Sequence, residues 1–142
     1  TNYPALNIVQ TGPAEMSAYV IEGYSQNTAR LQQFAMRLDG FVSIHAPYEG
    51  GNFTTRPFRF DGGVLEINYS TSAAGSIKAE VQDINGKPIE GYQEQDCMKI
   101  IGDEIRRIVT WKNPAQITSL QGEVIRLCFM MKDADLYSFK FE

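Results

Sequence analysis

The sequence predicts an all-β protein: an antiparallel two-sheet β-sandwich, jelly-roll-like, of about nine strands. Three observations predict it. Apolar residues recur at every second position along several stretches. Those stretches are short and end in turns rich in Gly, Asn or Asp. No stretch demands a long helix. Many short strands with such punctuation are the mark of an antiparallel sandwich or barrel.

In chain order, "EMSAYVIEGY" and "RLQQFAMRL" read as two strands joined by the polar "SQNTA". Leu31, Phe34 and Leu38 also fit helical spacing, and Ala, Gln, Leu and Met favour helix. The strand reading is taken because hairpin punctuation surrounds the segment; Phe34, Met36 and Leu38 then share a face. "FVSIHA" and "NFTTRPFRF" read as strands joined through "PYEGG", with Pro57 pointing to an edge or a bulge. "VLEINYS" turns Leu65, Ile67 and Tyr69 inward, and "SIKAEVQD" does the same with Ile77, Ala79 and Val81. Asn85-Gly86 follows, a strong hairpin signal because both residues accept positive φ. "DEIRRIVTW" adds a strand. "VIRLCFMMK" aligns Ile125, Leu127, Phe129 and Met131; "DAD" is expected to break it, and "LYSFKF" to resume with Tyr137, Phe139 and Phe141 on one face. The expected core includes Val42, Ile44, Leu65, Ile67, Ile77, Val81, Val109, Leu127, Phe129, Tyr137 and Phe139.

The 142 residues are enough for a sizeable core. A formal net charge of -4 lacks the basic footprint that phosphate backbones or anionic membranes attract, so nucleic acid is a poor partner and no membrane insertion is expected. No apolar run reaches the ~18 residues of a spanning helix. Cys97 and Cys128 are the two cysteines, compatible with one disulfide or with two semi-buried thiols. With one His, no Cys/His zinc cluster assembles at the usual spacings.

Nucleophilic chemistry finds little support. There is no G-x-S-x-G elbow, P-loop or dinucleotide glycine pattern. His45 shares a strand face with Phe41 and Ser43 and reads as a partly exposed sheet residue rather than a catalytic base. Acid pairs for glycoside hydrolysis are set by separation rather than motif, and Asp103, Glu104, Asp133 and Asp135 are the candidates. Their loop-like settings read better as turn caps. Together with Asp61 and Asp83 they are also the oxygen ligands that calcium would use, although no EF-hand spacing is present. Sugar binding by a sandwich needs aromatic platforms beside polar groups. Tyr48, Phe53, Tyr92 and Trp111, with Tyr24, are the candidates. Tyr48 and Phe53 flank the turn "EGGN". Trp111, the lone Trp, shares strand parity with Val109 and reads as core before platform.

The phrases "RLDGF", "GKPIEGY" with the following "DC", "EIRRIVTWK" and "KDADLYSF" together resemble the C-terminal β-sandwich of bacterial glycosyl-hydrolase-like proteins, where it follows a sialidase-like or five-bladed β-propeller. The similarity runs from about Arg37 to the end, and "EMSAYVIEGY" is similar to the closing segment of such a propeller. The resemblance implies a division into residues 1–36, the tail of an upstream propeller packed on the sandwich, and residues 37–142, the sandwich. It implies a non-catalytic accessory domain of a glycoside hydrolase, packing on that upstream propeller or contacting carbohydrate, secreted or periplasmic. It carries no catalytic residue and no cofactor onto this chain. The alternatives are a hydrolase using a pair such as Asp103 and Asp135, and a purely structural or dimerisation domain.

Overall fold

A computed structural model describes residues 2–112 and 117–142, and its strands follow from where the period-two pattern meets turn residues. They are β1 (Tyr3–Pro4), β2 (Val9–Gln10), β3 (Glu15–Glu22), β4 (Arg30–Arg37), β5 (Ile44–Ala46), β6 (Gly51–Thr54), β7 (Leu65–Asp83), β8 (Asp103–Ile108) and β9 (Ile125–Phe141), with one 3₁₀ turn at Ile117–Leu120. As expected of a two-sheet antiparallel β-sandwich, the described residues are all-β, with nine strands in two antiparallel sheets. Among the described residues no helix is long and apolar enough to cross a membrane.

The chain divides into two compact units, Thr1–Val42 and Ser43–Glu142. In the first, β3 and β4 form the expected hairpin, with Glu15 opposite Arg37 and Glu22 opposite Arg30. Strand thus wins over helix in "RLQQFAMRL", because every residue of β4 finds a ladder partner in β3. The hairpin's turn end is tied by Arg30 to Glu22 at 2.7 Å. β1 and β2 lie one after the other along the free edge of β3.

In the second unit the sheet order is β5-β9-β7-β8, with β6 also on β9. β7 and β9 are the long members, and their inward residues face each other row by row. Leu65 lies opposite Phe141, Ile67 opposite Phe139, Tyr69 opposite Leu136, Ile77 opposite Met131, Ala79 opposite Phe129 and Val81 opposite Leu127. Most of these side chains are buried, and Phe139 and Phe141 pack against them. Phe60, Tyr92, Cys97, Ile100, Val109 and Ile117, from the connecting segments, complete the same cluster. Burying a side chain of this size contributes ~1.5–3 kcal/mol, so this face dominates the unit's stability.

Four expectations change. The segment "DAD" does not break a strand: β9 runs through it because Asp133 takes a left-handed conformation (φ 42) and absorbs a bulge. Likewise "VLEINYS" and "SIKAEVQD" are one strand, β7, whose residues between Thr71 and Ser76 bulge out opposite Asp133. Nine strands are present among the described residues because β1 and β2 replace the two lost by these fusions. Val42 and Ile44 are not core. They are 77% and 46% exposed, since Val42 precedes β5 and Ile44 lies on a three-residue strand at the sheet's rim. Tyr137 is the residue skipped at a second β9 bulge, between Leu136 and Ser138. Its hydroxyl therefore lies 3.5 Å from Ser70 Oγ instead of entering the core with Phe139.

Cys97 and Cys128 are free buried thiols. Cys97 shows how the β7 edge is closed where β8 has ended. The Ala79 N–H donates to Cys97 Sγ at 3.2 Å, and the Ala79 carbonyl accepts from Trp111 Nε1 at 3.0 Å. Two side chains stand where a neighbouring strand would supply ladder groups, satisfying backbone that burial would otherwise leave unpaired. Burial raises the Cys97 pKa.

Candidate functional site

The Asp133 bulge of β9 also anchors a turn on the surface of the second unit. At Asp133 the backbone turns aside and its N–H donates to the Pro47 carbonyl at 2.9 Å. The same carbonyl accepts from the Gly50 N–H, also at 2.9 Å, closing the turn Pro47–Gly50. Gly50 has φ 86, which glycine adopts without a Cβ penalty. The turn connects β5 to β6 and carries Tyr48 at its tip. Tyr48 is 59% exposed, and Lys132 Nζ sits 4.2 Å from its ring centroid, a cation–π contact.

One row along, four polar residues cross the sheet in register: His45 on β5, Asp135 on β9, Ser70 on β7 and Asp103 on β8. Directly opposed residues of antiparallel strands project to one face, so these four side chains share the face opposite the buried cluster. Ser43 Oγ donates to Asp135 Oδ1 at 2.7 Å, and His45 Nδ1 is 3.2 Å from the same oxygen. A hydrolytic triad needs the serine on the histidine. Here the serine is on the acid, and both bonds pin β5 to β9. Asp103 and Asp135 flank Ser70 two strand spacings apart, about 10 Å between backbones.

The four aromatic candidates are not brought together as one platform. Tyr48 is exposed. Phe53 is half-buried and stacks on Phe129 at 5.2 Å. It also lines, with Ile44, Ala46 and Met131, a small apolar pocket of about 90 Å³ under the β5–β6 rim. Tyr92, 3% exposed, offers no free ring face. Trp111 is half-buried with Tyr92 edge-on at 5.4 Å, its N–H committed to Ala79. Tyr24 packs edge-on against Tyr3 in the first unit, at 4.8 Å.

Of the acids named as calcium ligands, Asp83 and Glu104 are engaged locally. Asp83 Oδ1 accepts from the N–H groups of Asn85 and Lys87 and so caps the Asn85-Gly86 turn. Glu104 accepts from the Tyr69 hydroxyl at 3.2 Å and pairs with Arg107 at 3.3 Å. Burial, with Glu104 beside it, pushes the Tyr69 pKa up to about 12. Among the described residues no group of three His, Cys, Asp or Glu side chains is arranged to hold a metal ion.

His45, Asp103 and Asp135 were candidates from sequence, but their shared row, with Ser70, and Lys132 were not legible. Ser43, Ser70 and Lys132 carry no motif, and only strand register makes them neighbours of Tyr48, His45 and Asp135. Comparison with protein-family models, with curated proteins and with solved structures finds no match.

Proposed function

We propose that this chain is a non-catalytic accessory module of a carbohydrate-active protein, as its resemblance to the C-terminal sandwiches of glycosyl-hydrolase-like proteins implies. The observation that carries the reading is the wiring of Ser43, His45 and Asp135. The residue types of a hydrolytic relay are adjacent, yet serine and histidine both bond one carboxylate oxygen and hold an edge strand. The aromatic turn beside them supports contact with a glycan rather than its cleavage.

The test pairs two assays on the same chain: retention by polysaccharides and release of reducing ends from them. Retention without release is expected. Saturable hydrolysis, abolished by Asp103→Asn, would replace the reading with the carboxylate-pair hydrolase, which the shared row of Asp103 and Asp135 favours.

A packing role has its own support. In the first unit Tyr3, Ile21 and Leu31 form one cross-strand row, and all three are exposed. Such a row suits docking to an upstream propeller or to a second copy. Leu31→Asp would shift the sedimentation of a self-associating chain to that of the monomer.

A further inference from the structure

Resting on that reading, we infer that the sheet face around Tyr48, His45 and Asp135 is a binding site for a neutral pyranose bearing adjacent hydroxyls. Three observations converge. The Tyr48 ring is presented rather than merely exposed. Its turn is closed by the Gly50 N–H, anchored to the β9 bulge by the Asp133 N–H, and the ring is backed by Lys132. An aromatic fixed before the ligand arrives loses little conformational freedom on binding. It offers an apolar face to the C–H face of a sugar ring.

Polar groups with unused valence lie beside it. Asp135 engages its neighbours through Oδ1, and Oδ2 provides lone pairs for hydroxyl donors. His45 uses Nδ1, and its side chain is 61% exposed, so Nε2 is accessible as donor or acceptor according to tautomer. Two hydroxyls on adjacent carbons match an acceptor and an imidazole nitrogen on neighbouring groups. Ser70 continues the row for a second sugar unit.

Charge selects against acidic sugars. Asp103 and Asp135 both lie in the row itself, while the Lys132 ammonium is seated on the Tyr48 ring. A uronate or sulfate would meet net negative potential in a chain that is itself at -4.

The experiment is native affinity electrophoresis of the whole chain in gels cast with neutral polysaccharides (β-glucan, mannan, xylan) or with carboxylated ones (pectate, alginate). The expected result is retardation by at least one neutral polymer and by neither carboxylated one. Tyr48→Ala should weaken retardation at least 10-fold, whereas Tyr48→Phe, which keeps the ring, should retain it. An unchanged urea midpoint for Tyr48→Ala shows that the variant is folded. Retardation of Tyr48→Ala equal to that of the parent chain overturns this site and leaves the accessory reading intact. A preference for pectate or alginate overturns the neutral class. No retardation by any polymer overturns the glycan-contact reading and this site with it.

Discussion

Gly75→Ala is the substitution for which the structure supplies the clearest magnitude. Gly75 lies in the wide part of β7, where the Asp133 bulge of β9 presses in. A Cβ built there would be 2.3 Å from the Asp133 carbonyl oxygen and 2.8 Å from that of Lys132. An ordinary C···O contact needs about 3.3–3.6 Å, so the two strands must part by roughly 1 Å. Both obstacles are backbone, and neither can rotate away. Overpacking of this kind costs ~1–3 kcal/mol, and a stretched ladder bond adds ~1 kcal/mol. Against this, alanine's smaller unfolded-state entropy returns about 0.4–1 kcal/mol. The net expectation is a loss of about 1–3.5 kcal/mol, read as a lower urea midpoint at an unchanged slope. The same shift should loosen the Asp133-to-Pro47 bond, so the Gly50 amide should exchange faster in the variant. Gly51→Ala is the matched control, because no atom lies within 4 Å of its added Cβ. A Gly75→Ala midpoint equal to the parent's would refute the close approach of β7 and β9.

Other expectations follow from single contacts. Trp111→Phe removes the donor to the Ala79 carbonyl and should cost about 1–3 kcal/mol in urea unfolding; a variant as stable as the parent would remove Trp111 from the edge closure. Tyr69 is neutral in the folded state, and its pKa is raised to about 12 from 10.0. The unfolded chain therefore ionises first, and stability should be flat below about pH 10 and then fall by roughly 2–3 kcal/mol as pH rises toward 12. Tyr69→Phe should abolish that alkaline decline, as urea titrations across the range will show. Neither Cys97 nor Cys128 should react with an aromatic disulfide reagent in the native protein, and both should react in denaturant. Asp135→Ala removes the shared acceptor of Ser43 and His45. It should speed amide exchange in Ile44–Ala46 while lowering global stability by less than about 1 kcal/mol, as befits an exposed pair.

The inward residues of β7 and of the first half of β9 were legible because alternation is a local property. A strand with one wet face and one dry face writes its pattern directly into the chain. The same logic misled at Val42 and Ile44, whose parity is right for a core that the short rim strand β5 does not cover. It failed again at Tyr137, because a bulge resets parity and leaves no mark beyond residues that tolerate the required backbone. Asp133 hints at such a site only in hindsight, since an Asp in "KDAD" serves a turn equally well.

The candidate site was legible by half. Tyr48 beside "EGG" announces an aromatic on a turn. Its companions Lys132, Asp135, Ser70 and Asp103 lie up to 87 residues away and meet it only through register. Trp111 stands on the other side of the same division: its parity with Val109 favours core, but that its indole N–H would replace a missing strand is a fact of three dimensions.

Composition, alternation and turn residues determined by themselves that this protein is all-β and antiparallel, and which residues of β7 and of the first half of β9 are dry. Those properties depend on neighbours two positions away. The tertiary structure alone decided that the apparent breaks at 72–75 and 133–135 are paired bulges, that Tyr92 is buried against a half-buried Trp111, and that Tyr48 shares a face with a polar row. Each of these depends on the register of strands distant in sequence, and a one-residue slip would send every such side chain to the opposite face.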